Sequence, residues 1–236
     1  MANAQLQLPG GATPDGQPAT PRLGPYGEQW TFPLSNKEWG AAAEGSYFTA
    51  ISPTPGTGII GHAAPTTFDQ TKPYLLAYNG SSKNLYPQFL RLHDTAVSVG
   101  DTRVQFTIVR DVGNLFSSGG TAATINSTNS EFVTPGITGV VITQGAVVCS
   151  AATSSAANLG NYCLRGTIDV VEDTYTLIWG ATDSLVSASR VATVMDIAQP
   201  VAPMVIGPGK CLKIHTWAGS MSTGPTYEMV FGFILR

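Results

Sequence analysis

Several segments of the chain alternate apolar and polar residues with a period of two, the pattern of a strand with one buried face. Residues 101–110 place Val104 and Phe106 on the same side. The alternation is clearest in residues 227–235, where Tyr, Met, Phe, Phe and Leu occupy every second position. Residues 211–217 alternate in the same way. The sequence therefore predicts strands in these segments, the last two forming a terminal pair.

Other strands are predicted from runs of β-branched and aromatic residues bounded by turn residues. The segments concerned are 72–78, 85–92, 138–149, 164–171, 175–179, 191–197 and 201–206. The connector NGSSKN predicts a hairpin of the first two segments, because its residues favour turns. Glu172-Asp173 predicts a second, tight hairpin, and prolines mark 201–206 as an edge strand. The polar stretches 111–136 and 151–161 are predicted as loops.

These predicted strands, with neither a long helix nor an internal repeat, indicate an all-β fold. Irregular spacing and long crossing loops favour a jelly-roll-like β-sandwich of about eight strands. Short helical structure is limited to residues 36–45, where glycines keep a run of alanines short.

The N-terminal part has a different composition. Prolines recur through residues 1–57 with glycines between them, which disfavours helices and inner strands. The sequence thus predicts an extended arm at 1–57 and a β-sandwich domain at 58–236. This arm carries aromatic residues that disordered tails tend to lack. They are Tyr26, Trp30, Phe32, Trp39, Tyr47 and Phe48. We expect them to contact another subunit or protein, although the surface that buries them could also be the protein's own body.

Charged residues make up 11% of the chain and the net charge is −3, so the surface is mostly neutral and polar. Such a surface suits a chain covered by neighbours, because hydroxyls and amides are easier to desolvate than ions. A merely Thr-rich β protein remains the alternative. No basic cluster indicates a nucleic acid partner, and no segment has the length of a membrane span. The N-terminus lacks a signal-peptide pattern, so Cys149, Cys163 and Cys211 are expected to be reduced thiols.

No motif predicts catalysis, so we expect neither an enzyme nor a cofactor. His62, His93 and His215 lack the spacing of a metal site, and the glycine-rich stretch 56–62 fits no phosphate loop. A carboxylate pair for hydrolysis would have to come from residues that more often form turns: Asp94, Asp111, Asp169, Glu172 and Asp173. Trp179 and Trp217 could form a platform for a sugar, although a tryptophan at a strand end is more often a core or rim packing residue. A carbohydrate-binding β-sandwich is therefore the alternative function.

Five short stretches carry a resemblance to a known family. They are GIIGH at 58–62, APT at 64–66, TKPYL at 71–75, NLFSSGG at 114–120 and LRG at 164–166. In these stretches the chain resembles structural proteins of tailed bacteriophage virions, in particular minor head proteins of the decoration (cement) type. The similarity extends over about residues 56–236 and includes no catalytic or ligand motif.

That resemblance implies a jelly-roll body, often a homotrimer, which lies on the outside of an icosahedral head and bridges capsomers. It also implies an extended terminal segment that clasps the major capsid protein or a neighbouring copy. The expected partner is therefore the major capsid protein, and the expected location is the capsid exterior after assembly in the host cytoplasm.

Overall fold

The computed structural model describes residues 37–97, 103–131, 139–163, 170–180 and 196–236, apart from the side chains of Lys37 and Trp39. In this part of the chain there are one helix and thirteen strands. Their bounds are α1 Lys37–Ala43, β1 Tyr47–Ile51, β2 Ile59–Ile60, β3 Leu75–Asn79, β4 Leu85–Ala96, β5 Gln105–Val112, β6 Phe116–Ala122, β7 Thr124–Ser127, β8 Val140–Cys149, β9 Ala157–Cys163, β10 Thr174–Trp179, β11 Asp196–Val201, β12 Lys210–Trp217 and β13 Thr226–Leu235. In the described part of the chain, no helix is long and apolar enough to cross a membrane.

The strands form two sheets that pack as a β-sandwich, as the sequence predicted. Sheet I has the order β11-β10-β4-β13-β1-β7, and β2 also pairs with β13. Sheet II has the order β6-β8-β3-β12-β5-β9. The pairing is antiparallel except between β10 and β11, which run parallel. The compact unit formed by these sheets comprises Ala41–Arg236.

The chain crosses repeatedly from one sheet to the other, which gives the sandwich its jelly-roll-like winding. β3 belongs to sheet II and β4 to sheet I, and β12 and β13 are divided in the same way. The predicted hairpin of 72–78 with 85–92 is therefore wrong, as is the predicted terminal pair, although all four strands exist. Turn residues show where a chain reverses. They do not show whether the two strands bond to each other or face each other across a core.

Three further predictions need correction. The stretches 111–136 and 151–161 are not wholly loops, because they contain β6, β7 and β9. The end of the predicted arm also belongs to the sandwich, since β1 lies between β13 and β7 in sheet I. Backbone pairing with these neighbours places β1 inside the sheet despite the prolines on either side of it.

The core lies between the sheets and is centred on β13. Its inward side chains Tyr227, Met229, Phe231 and Phe233 are fully buried, which confirms the alternation in the sequence. The Phe231 ring stacks on Phe233 with centroids 5.6 Å apart and meets Trp179 edge-on at 6.1 Å. Such aromatic pairs add about 0.5–1.5 kcal/mol each beyond the area they bury.

Candidate interaction surface

The residues predicted to contact a partner fall into three groups. Tyr26, Trp30 and Phe32 lie outside the described residues, and so does the side chain of Trp39. Tyr47 and Phe48 are consecutive residues of β1 and point to opposite faces of sheet I.

Phe48 points into the sandwich. It is 5% exposed and its ring stacks on Phe233 at 5.7 Å. It is therefore a core residue of its own subunit, and we no longer expect it to contact a partner. Tyr47 points outward and is partly exposed, so it remains a candidate contact residue.

Tyr47 is one of a set of outward side chains on the outer face of sheet I, which we call face I. These side chains are Tyr47, Thr49 and Ile51 of β1, Tyr86, Phe89, Arg91 and His93 of β4, Thr176 and Ile178 of β10, and Glu228 and Val230 of β13. Arg91 is exposed and the others are partly exposed. More than half of the set is aromatic or aliphatic.

The register of the strands aligns these side chains in rows. One row joins Thr49, Gly232, Phe89 and Ile178 across four neighbouring strands. The Phe89 ring lies over Gly232, because a Cβ on that glycine would be 2.4 Å from a ring carbon. Gly232 thus lets an aromatic ring lie flat on face I, and the row forms a continuous, mainly apolar strip.

Few charges interrupt face I. Glu228 accepts a hydrogen bond from the backbone N–H of Gly56 at 3.0 Å, so a loop holds its carboxylate near the rim. His93 lies 3.3 Å from the Thr174 hydroxyl through its Nδ1 atom. Arg91 is left as a cation that a partner can reach.

The outer face of sheet II, which we call face II, is covered at its centre by contrast, although Val141 of β8 is 47% exposed. Outward side chains on its central strand β12 are Cys211, Lys213 and His215, and they are 0–1% exposed. Cys211 packs in a small second core with Leu76 and Val147, among other residues. The outward residues of β12 thus lie beneath other parts of the same chain, whereas most outward side chains on the central strands of sheet I are at least partly exposed, although Ile234 of β13 is only 6% exposed.

Face II contains a buried ion pair that the sequence did not reveal. The Lys213 ammonium lies 3.0 Å from Asp111 Oδ2, and both side chains are fully buried. Asp111 also accepts hydrogen bonds from the Val112 N–H at 2.8 Å and from the hydroxyl and N–H of Thr153. Burial raises the pKa of Asp111, but these hydrogen bonds and the ammonium outweigh it and hold the pKa below its usual range.

The cysteines form no disulfide, as predicted. Burial raises the pKa of the Cys149 thiol to about 11 and that of Cys211 to about 12, against the opposing charge of Lys213. At neutral pH both thiols are therefore protonated and unsuited to act as nucleophiles. Cys163 is exposed.

The three histidines lie apart in the fold. His62 contacts the Val147 carbonyl through Nε2 at 2.7 Å, His93 is on face I, and His215 is on face II. No three His, Cys, Asp or Glu side chains of the described chain are grouped so that they could hold a metal ion.

The carboxylates proposed for hydrolysis bond mainly to nearby residues. Asp173 accepts from the Val170 N–H at 2.9 Å and from the Tyr175 hydroxyl at 3.2 Å, and Asp94 accepts from the Ala96 N–H at 3.2 Å. Asp111 is paired with Lys213. Glu172 lies in a turn with a φ of 76°, and Asp169 lies outside the described residues.

The tryptophans do not form a sugar platform. Trp179 is 5% exposed and packs in the core, as is usual for a tryptophan at a strand end, so it is not available as a surface platform. Trp217 donates its indole N–H to the Thr107 hydroxyl at 3.0 Å and borders a cavity of about 60 Å³. Ligand sites usually enclose about 300–1,000 Å³, so this cavity is too small for a sugar ring.

Comparison of the chain with models of protein families, with curated proteins and with solved structures finds no match.

Proposed function

We propose that the protein is a non-enzymatic virion structural protein, which decorates and stabilises a phage capsid by binding subunits of the major capsid protein. The observation that carries the proposal is the contrast between the two outer faces. The centre of face II is covered by the protein's own chain, whereas face I presents a mainly apolar, partly exposed strip with few charges. The largest apolar patch on a typical monomer covers about 300–600 Å² and often marks a contact with another molecule.

The sizes of the contact surfaces support this proposal. Four strands spaced about 4.8 Å apart make face I roughly 14 Å wide, and three rows of side chains give it roughly 300 Å². Tyr26, Trp30 and Phe32 would add about 150–250 Å² each if a partner buried them. Face I and the N-terminal residues together would then supply the about 800 Å² per partner of a standard stable interface.

The charge content and the resemblance to decoration proteins point in the same direction. With 11% charged residues, most of the surface can be covered without desolvating ions. We therefore propose a homo-oligomer, with a trimer favoured, on the exterior of the capsid, assembled in the host cytoplasm. Residues 1–36 dock on the major capsid protein or on a neighbouring copy as an extended segment.

A deletion tests the role of the N-terminal residues. It should remove residues 2–36 only, because β1 begins at Tyr47 and a longer deletion would damage sheet I. The full chain and the deletion variant are mixed with heads assembled from the major capsid protein of the same virus and sedimented. We expect the full chain to sediment with the heads and the deletion variant to stay in the supernatant while keeping its circular dichroism spectrum.

Two point variants test face I separately. Ile178→Asp places a charge on face I, whereas Val141→Asp places the same charge on sheet II, where Val141 is 47% exposed. We expect only Ile178→Asp to weaken co-sedimentation or the native mass of the oligomer. A full chain that neither sediments with heads nor self-associates would refute the proposal, and equal loss in both aspartate variants would refute the role of face I.

A further inference from the structure

His215 is buried beneath a short segment that we call the arch, residues 66–70. The ring of Phe68 in the arch meets the His215 ring edge-on, with centroids 5.0 Å apart. The cavity of about 60 Å³ beside them is bordered by His215, Trp217 and residues of the arch and its flanks. His215 is only 1% exposed, so the arch and its flanks separate this imidazole from water.

The arch is fixed at both ends and held weakly in the middle. On one side Ala64 donates to Ser222 and Pro65 accepts from Ala218 through backbone bonds of 3.1 and 3.0 Å. On the other side the Thr71 carbonyl accepts from the Cys149 N–H at 2.7 Å.

Between these anchors no hydrogen bond shorter than 3.5 Å is seen from the described residues 66–70 to sheet II. The arch contacts this sheet through the Phe68 ring on His215, through a long, 3.5 Å hydrogen bond from Lys213 to the Gln70 carbonyl, and through Asp69, which faces His215. Residues 66–70 can therefore lift while their ends stay attached.

The His215 ring is not stabilised in its charged form. Neither ring nitrogen reaches a hydrogen-bond partner among the described residues. Burial and, to a smaller extent, the charge of Lys213 lower the pKa of His215 to about 3, against weaker opposing effects of the backbone of Lys72 and Asp69 and of the Asp69 carboxylate. The imidazole is thus neutral while the arch is closed.

The neighbouring charges offer a protonated His215 little compensation. Lys213, two residues away on the same face of β12, is already a buried cation, and its carboxylate partner Asp111 belongs to β5. In the arch and its flank, Asp69 is engaged by Thr71 and Lys72, at 2.6 and 3.5 Å. The buried thiols Cys149 and Cys211 lie elsewhere on face II. A proton on His215 would add a second buried cation beside Lys213.

We propose that the arch is an acid-responsive latch: protonation of His215 opens residues 66–70 while the sandwich stays folded. Opening exposes the imidazole to water and separates it from Phe68. The latch does not depend on the proposed capsid function, since it uses only contacts within one chain.

The expected size follows from the proton linkage. An exposed imidazole titrates near its ordinary pKa of about 6.5, so each pH unit below that value favours the open arch about tenfold. Between pH 7.5 and pH 4.5 the open population should rise about 100-fold. Asp69 stays ionised over this interval, because hydrogen bonds from Thr71 lower its pKa below the usual value near 3.8.

Hydrogen–deuterium exchange of the full chain tests the latch, with rates corrected for the pH dependence of chemical exchange. The reporters are the amides of Thr71 and Lys72, which donate to Asp69 when the arch is closed. We expect their protection to fall about 100-fold from pH 7.5 to pH 4.5, while the amides of β13 stay protected. Unchanged protection at Thr71 and Lys72 would overturn the proposal. So would equal loss in β13, because that result means unfolding of the sandwich.

Two variants identify the titrating group. His215→Phe keeps an apolar ring against Phe68 and should abolish the pH dependence, whereas His93→Phe, on face I, should leave it unchanged. Phe68→Ala provides a second measure if His215→Phe does not fold. In Phe68→Ala the pKa of His215, measured by NMR, should rise towards 6.5. Hydrogen exchange of the Thr71 and Lys72 amides at pH 7.5 should also become faster. A pH dependence that survives His215→Phe, or a His215 pKa that Phe68→Ala does not move, would overturn the latch.

Discussion

Replacing Lys213 with methionine should strongly destabilise the sandwich. The substitution keeps the side-chain length and apolar stem but removes the ammonium that lies 3.0 Å from Asp111. Asp111 would then be a buried carboxylate without a counter-ion, supported only by hydrogen bonds from Val112 and Thr153. Loss of one partner of a buried ion pair typically costs about 3–5 kcal/mol. This is a large part of the roughly 5–15 kcal/mol by which domains are stable.

The chain offers a matched control for this prediction. Arg236 and Glu44 form an ion pair of 2.7 Å, but their side chains are 48% and 65% exposed. Water solvates both charges when the pair is broken, so Arg236→Gln should cost no more than about 1 kcal/mol. The comparison separates the effect of burial from that of pairing.

Urea unfolding of Lys213→Met and Arg236→Gln, followed by tryptophan fluorescence, measures the free energy of unfolding of each variant. Asp111→Asn is the second single variant of a double-mutant cycle. It removes the carboxylate charge but keeps an oxygen that can accept hydrogen bonds from Val112 and Thr153. In the double variant Lys213→Met/Asp111→Asn neither charge remains buried, so its loss should be smaller than the summed single losses by about 1–3 kcal/mol. A loss below about 1 kcal/mol for Lys213→Met, or additive single effects, would refute the account of the ion pair.

Three further predictions concern local features of the fold. Gly224→Ala should cost about 1–3 kcal/mol in urea unfolding, because its new Cβ would lie 2.4 Å from the His62 carbonyl oxygen. Gly207→Ala, with no atom closer than 3.7 Å, should change the free energy of unfolding by less than about 0.5 kcal/mol. A thiol reagent at neutral pH should modify Cys163 quickly in the native protein, and the other two cysteines only after denaturation; three fast thiols would contradict their burial. Because Asp111 has a lowered pKa in the folded protein, its contribution to stability is complete above pH 3.8 and is lost as the pH falls below that value. The urea midpoint should thus fall less between pH 5 and pH 3 in Asp111→Asn than in the parent, and equal falls would contradict this assignment.

The strands with strong alternation were predictable from the sequence. β13 matches the predicted segment 227–235 to within one residue, whereas β5 begins at Gln105, four residues after the start of the predicted segment 101–110. Inward residues of both strands belong to the core. A period of two identifies such strands, because each must bury one face. The all-β class and the sandwich follow from the same pattern.

Strands without that pattern were missed. β6 has the sequence FSSGGTA and β9 has ANLGNYC. Both lie at the edges of sheet II, where most of their side chains are partly or fully exposed and polarity does not separate a strand from a loop. Their backbone pairing with β8 and β5 defines them as strands, and single-chain periodicity contains no information about pairing.

Parts of the two outer faces were also beyond prediction. The alternation placed Lys213 and His215 on the polar side of their strand, which normally faces water. In the fold that side is covered by residues distant in sequence, so a polar pattern becomes a buried layer. Face I was missed for a related reason, because its members come from four strands and no short window of sequence brings them together.

The difference between the two faces also determines where a partner can bind. Reaching the β12 row at the centre of face II would require removing the arch and the loop that contains Thr153, together with the hydrogen bonds that they make to Lys213 and Asp111. Each buried polar group left unpaired would cost about 1–3 kcal/mol. Covering face I requires no such rearrangement, since its outward side chains are already apolar or polar without a formal charge, apart from Arg91 and Glu228. A partner that binds the folded sandwich therefore loses less free energy to unpaired polar groups on sheet I than on sheet II. For this reason we expect Ile178→Asp on face I to weaken binding, and Val141→Asp on sheet II to leave it unchanged.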